Sequence, residues 1–117
     1  MSVPGPLHIR SEPAPHAVVL ALAGELDLAT AAEVTAEVDA LPAGPVVLDL
    51  AAVSFCDSSG LRGLIECHRS REDRGGLLLT RPSPPLARLL GMTGLEDYFR
   101  WASGTGAGDV AAALAAA

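Results

Sequence analysis

The chain has 117 residues, half of them hydrophobic, which is enough for one core and one domain of ordinary size. A formal net charge of -6 and a pI near 4.8 argue against a nucleic-acid binder, which needs a basic face to neutralise phosphates. All eight basic residues are arginine, and lysine, asparagine and glutamine are absent, a bias that points to a GC-rich bacterial coding sequence rather than to a mechanism.

The start, Met1-Ser2-Val3-Pro4-Gly5-Pro6, lacks the charged and apolar regions of a signal peptide. No apolar run approaches the roughly 18 residues that span a bilayer, so a cytoplasmic address without membrane insertion is expected. Ala17 to Leu22 is an apolar run ending at Gly24 and reads as a buried strand, with Leu7 to Arg10 as its pairing partner. Asp27 is placed to cap a helix from about Leu28 to Leu41, with Leu28, Ala31, Ala32, Val34, Ala36 and Val38 supplying its apolar surface and Pro42 and Gly44 stopping it. Val46 to Leu50 is the second apolar strand.

A helix from about Ser59 to Asp73 follows the turn Asp57-Ser58-Ser59-Gly60, carries Leu61, Leu64, Ile65 and His68 along one stripe, and closes at Gly75-Gly76. Leu77 to Leu79 is a third buried strand. Arg81 to Pro85 then turns into a short helix through Leu86, Leu89 and Leu90 that ends between Gly91 and Gly94. Tyr98 to Trp101 reads as a last short strand, and the glycine-rich stretch from Gly104 to Gly108 precedes an alanine-rich helix to Ala117. The alternation predicts an α/β fold: one small mixed sheet with right-handed parallel crossovers, flanked by helices, with an antiparallel edge from the opening hairpin.

Cys56 and Cys67 form no Cys-x-x-Cys pair and read as buried thiols of a reducing compartment, not a disulfide. His8, His16 and His68 are scattered without ligand spacing, so no metal site is expected, and no nucleotide or other cofactor motif is present. The two serines lie on a strand-to-helix turn, which can hold a helix cap, a nucleophile or a phosphorylation site. The nucleophile reading is weak: Gly-x-Ser-x-Gly is missing, and the only later histidine, His68, lies on the same predicted helix. No enzymatic activity is therefore expected.

Several segments together resemble the STAS domain, in particular the single-domain anti-sigma factor antagonists. They are Gly24-Glu25-Leu26-Asp27, then Leu48-Asp49-Leu50 with Val53-Ser54-Phe55-Cys56-Asp57-Ser58-Ser59-Gly60-Leu61, and later Ser83-Pro84 and Met92-Thr93-Gly94-Leu95. The resemblance covers about Leu7 to Ala115. It implies a chain that binds an anti-sigma factor when unphosphorylated and so frees a sigma factor. The anti-sigma factor is then also the serine kinase that uses ATP to phosphorylate Ser58, and a separate serine phosphatase restores the binding form.

The same resemblance makes Glu25, Asp27, Asp57, Ser58, Ser59 and Gly60 the partner-binding set. Each has a plainer reading. The serines can cap the helix, Asp57 can hold the turn, Gly60 can be a turn glycine, and Glu25 and Asp27 can serve capping. Phe55 and Leu61 read as core, Trp101 as partly buried packing, and Met92, Gly94 and Leu95 as the exit of a short helix. Cys56 stands where such domains commonly carry methionine, and the family's usual lysines are absent here. A competing reading, also carried by the resemblance, is a non-switching accessory subunit of a lipid-transport ABC complex or of a stress-signalling assembly.

Overall fold

The computed structural model describes residues 6–102, so the expected terminal helix and the opening residues lie outside the described range. Chain order is β1 (Leu7–Ala14), β2 (Ala17–Leu26), α1 (Leu28–Ala40), β3 (Val46–Cys56), α2 (Ser58–Arg71), β4 (Leu77–Thr80) and α3 (Pro84–Thr93), then a single 3₁₀ turn at Glu96–Tyr98. The strands form one mixed sheet in the order β1-β2-β3-β4. β1 and β2 are an antiparallel hairpin, whereas β2, β3 and β4 run parallel, joined by α1 and α2 as crossovers. This is the α/β arrangement that the alternation of runs predicts.

Strand residues alternate between the two faces. Leu20, Leu22, Leu48, Leu50, Leu77 and Leu79 join Val34 and Val38 of α1, Leu61 and Leu64 of α2, and Leu86 and Leu90 of α3 in the main core. Val19, Val47 and Leu78 point to the opposite face, where they meet Ala102. The helices described here therefore pack on one side of the sheet.

Three elements differ from expectation. Gly24 does not end β2; it adopts φ 124° within the strand, and a Cβ there would run into the Pro6 carbonyl oxygen. β3 continues past Leu50 to Cys56, its pairing with β2 carried through two register irregularities that hide the simple alternation. α3 ends within the expected Gly91 to Gly94 window: it passes through Gly91 and stops at Gly94, whose left-handed φ of 71° closes the helix. Tyr98 to Trp101 is not a strand: Tyr98 completes the 3₁₀ turn, and Trp101 makes an isolated bridge to Leu79 while its indole N–H donates to the Glu96 carbonyl at 2.7 Å.

The apolar face of α1 is narrower than its sequence suggests. Ala31, Val34 and Val38 are buried with Thr30, while Leu28, Ala32 and Ala36 are exposed. The far end of α2 is fixed by Arg71, which is fully buried and donates to five carbonyls: Val38 and Leu41 through Nη1, and Pro42, Gly44 and Arg74 through Nη2. A guanidinium can bind several carbonyls at once because its donors are fixed in a planar fork. It thereby satisfies the end of α1 and the loop into β3 together. Arg71→Met should lower stability by about 3 kcal/mol, because those carbonyls lose their donors inside the protein. Urea unfolding followed by circular dichroism measures this, and a loss under about 1 kcal/mol would contradict the assigned role.

Candidate functional site

The site forms at the carboxyl ends of the two central strands. β2 and β3 end in register, with Glu25 opposite Phe55 and Leu26 opposite Cys56. Each strand is followed by one aspartate and then a helix: Leu26-Asp27-Leu28 on one side, Cys56-Asp57-Ser58 on the other. Parallel strands with one-residue connections therefore set two helix N-termini side by side. The Asp57 N–H donates to the Leu26 carbonyl at 3.2 Å and joins the two turns.

Both aspartates are N-caps. Asp27 accepts the Thr30 N–H at 3.1 Å, and Thr30 Oγ1 accepts the Asp27 N–H at 2.9 Å, a reciprocal capping box. The Thr30 hydroxyl also donates to the Glu25 carbonyl at 2.7 Å, which fastens the loop before the helix. The Thr30 N–H, and after it the Thr30 hydroxyl 3.1 Å from the same Oδ1, hold the Asp27 carboxyl below its ordinary value. Asp57 accepts the Gly60 N–H at 2.9 Å. The cap of α2 is therefore Asp57 and not either serine, so both hydroxyls are spared that duty.

Ser58 is the first residue of α2 and is exposed, while Ser59 is half-buried. Both line a shallow open pocket with Leu28 and Arg62. Leu28 is 76% exposed and Phe55 47%, which places apolar surface beside the serine turn. Arg62 was not singled out from sequence, and Leu28 was read there only as part of the apolar surface of α1; their signal as site residues, an apolar first residue on one helix and a cation four residues after Ser58, becomes legible only once the two helices are adjacent. Phe55, expected in the core, is turned outward by the register irregularity between Gly24 and Glu25, since a one-residue slip changes the face a strand residue occupies. Leu61 is core, as expected.

Glu25 presents an exposed side chain at this edge. Gly60, by contrast, is buried: a Cβ there would collide with the Leu26 carbonyl oxygen. It serves the site by letting α2 approach β2, not by offering surface to a partner. One turn later a Cβ on Gly63 would come within 2.6 Å of the Ala31 Cβ, so the two helices also touch through small residues. Met92 is 75% exposed at the end of α3, and Gly94 is that helix's closing residue, as the plainer reading of this segment holds.

His68 packs against the rings of Tyr98 and Phe99, with centroids 4.9 and 5.7 Å away. It lies ten positions along α2 from Ser58, roughly 15 Å along the axis, so the imidazole is out of reach of that hydroxyl. Burial, reinforced for Cys56 by Asp57 and for Cys67 by Asp39 and Glu66, pushes the thiols up to about 11 and about 12. Both are thus weak nucleophiles at neutral pH.

A small mixed sheet with helices on one face and a serine on the first turn of a crossover helix defines a small domain of the α/β class. A family model described as "Mlab, STAS domain" matches residues 9–100. The chain belongs to the STAS-domain family. Its structure is similar to that of an anti-sigma factor antagonist from Mycobacterium paratuberculosis, with 25% identity and a TM-score of 0.78 over 97% of this chain and 98% of that one. It is also similar to the Bacillus cell fate determinant SpoIIAA in its phosphorylated form, with 23% identity and a TM-score of 0.66 over 90% of this chain and 98% of that one. The murine anion transporter Slc26a9 shares the fold at 17% identity and a TM-score of 0.68, over 91% of this chain but only 18% of the transporter. No curated protein matches the sequence.

Two predictions follow from this geometry. Gly60→Ala should cost about 2 to 3 kcal/mol by overpacking against Leu26, whereas Gly91→Ala, where a Cβ meets nothing within 4 Å, should gain about 0.5 to 1 kcal/mol. Chemical denaturation of the pair checks the contrast in sign. Because the Asp27 pKa is lowered in the fold, its stabilisation is fully present above the unfolded value and is lost as pH falls through the folded one. Unfolding titrations below about pH 4 should therefore show a shallower acid loss for Asp27→Asn than for the parent.

Proposed function

We propose that the chain is an anti-sigma factor antagonist. With Ser58 unmodified it binds an anti-sigma factor serine kinase, and phosphorylation of Ser58 by that kinase releases it. A serine phosphatase resets the cycle. The observation that carries this reading is the exposed Ser58 hydroxyl, relieved of capping by Asp57 and set beside exposed Leu28. An anti-sigma factor antagonist among the structural neighbours, and a phosphorylated form of SpoIIAA among them, support the reading.

In this reading Glu25, Leu28, Ser58, Ser59 and Arg62 face the partner. Asp27, Asp57 and Gly60 hold the two turns in place beneath them. A phosphate on Ser58 adds about -1.5 to -2 charges at neutral pH. At a helix N-terminus the fold tolerates that charge, although Asp57 opposes it. The effect falls on the interface, where a bulky dianion displaces a partner that had closed over a neutral hydroxyl. A hundredfold loss of affinity requires only about 2.7 kcal/mol, within reach of steric exclusion and an unpaired buried charge. The chain is then a substrate of an enzyme and not itself an enzyme, and it acts in the cytoplasm on proteins and not on nucleic acid.

One observation favours a second reading. The matching family description couples STAS with Mlab, which accords with an accessory subunit docked on the ATPase of a lipid-transport ABC complex and needing no phosphate cycle. Affinity purification from native cells separates the two. Stoichiometric recovery of a kinase-like anti-sigma factor supports the switch, and recovery of an ABC ATPase with membrane-complex subunits overturns it. With the kinase in hand, phosphorylated Ser58 should bind it about a hundredfold more weakly than the plain form, at matching thermal unfolding temperatures. Ser58→Ala should bind and resist phosphorylation, and Ser59→Ala should still be phosphorylated.

A further inference from the structure

The sheet face turned away from the helices holds a cavity of about 320 Å³ that the serine edge does not use. Its floor is built from alanine. Arg10 of β1 pairs with Ala21 of β2, which pairs with Asp49 of β3, and the next outward position runs from His8 to Ala23 to Ala52. Small residues on the strand between two longer-armed neighbours leave a flat trough, about 10 Å across at two strand spacings. The volume is at the lower end of small-molecule sites.

The trough has cationic walls in a chain whose net charge is -6. His8 and Arg10 line one side, and Arg81 with Asp49 lines the other. Asp49 is nearly buried, and each of its oxygens accepts one bond: Oδ1 from the Ala51 N–H at 3.1 Å, and Oδ2 from Arg81 Nη2 at 2.8 Å. Arg81 is thereby folded back over the sheet from a backbone at φ 49°, a left-handed conformation that a non-glycine residue adopts only where surroundings enforce it. Only one of its guanidinium nitrogens is taken by Asp49, leaving donors for a second carboxylate. Arg10 is tethered at the rim by an exposed pair with Glu12 at 3.0 Å, which solvent weakens. Arg10 and Arg81 against Asp49 give the lining a formal charge of +1 from arginine and carboxylate, offset further by Glu12 beside Arg10, which complements a monoanion better than a phosphate dianion.

We propose that this trough binds a small aryl carboxylate, its ring lying on the alanine floor and its carboxylate received by Arg81, with Arg10 and His8 closing the opposite wall. The site is independent of Ser58 and of any phosphate cycle. A planar ring covers alanine methyl groups without a deep pocket, and a guanidinium meets a carboxylate through two parallel N–H bonds.

The test is titration of the isotope-labelled full chain with 1-naphthoate, read by amide chemical shifts, beside the neutral isostere 1-naphthalenemethanol. The expected result is saturable shifts centred on Ala21, Ala23, Ala51, Ala52 and Arg81, with the alcohol binding at least about tenfold more weakly. Arg81→Ala should weaken naphthoate about tenfold, and Ala21→Leu should abolish it by filling the trough. Equal binding of the alcohol, shifts centred on Leu28 and Phe55 instead, or naphthoate affinity unchanged in Arg81→Ala would each overturn the proposal.

Discussion

The close approach of α2 to the β2–α1 connection is the constraint on which the rest of the serine edge depends. Gly60 lies against the Leu26 backbone and Gly63 against Ala31, at separations that leave no room for a Cβ. Because of that approach, the Asp57 N–H reaches the Leu26 carbonyl, and Leu28 and Ser58 come to share one pocket. A larger residue at either glycine would push the first turn of α2 away from the loop that completes the surface. The absence of two side chains is thus what joins segments thirty residues apart in sequence.

The opposite end of α2 is held by different physics. Arg71 has no solvent exposure and gathers carbonyls from α1, the following loop and its own helix terminus. Van der Waals contact fixes one end of the helix and a buried guanidinium fixes the other. A helix secured at both ends suits the proposed modification at Ser58: charge added at its first turn would meet a rigid support, and the change would be expressed at the surface. The two N-caps add to this rigidity, because Asp27 and Asp57 satisfy N–H groups that the serines would otherwise compete to bind.

The strands and helices were legible wherever local chemistry and tertiary context agree. The apolar runs at Ala17 and Val46, the Asp27 cap and the α2 stripe all needed only nearby residues. The second half of β3 did not, because irregular pairing with β2 breaks the alternation that marks a half-buried strand. The same irregularity exposes Phe55. Gly24 looked like a stop because a glycine and a strand end carry the same local signal, and only the passage of Pro6 overhead distinguishes them. In the candidate site, the serine turn was visible from its motif. The capping duty of Asp57, the burial of Gly60 and the presence of Leu28 and Arg62 depend on the β2–β3 register and so were not.

In the proposed function Ser58 is a reversible charge switch on a rigid edge. The most direct measurement is phosphosite mapping by mass spectrometry of the protein from its native cells, separately for the free and partner-bound pools. A switch at Ser58 leaves phosphate on Ser58 in the free pool and an unmodified Ser58 in the bound pool. Phosphate confined to Ser59, or an unmodified Ser58 in both pools under every growth condition, would contradict it.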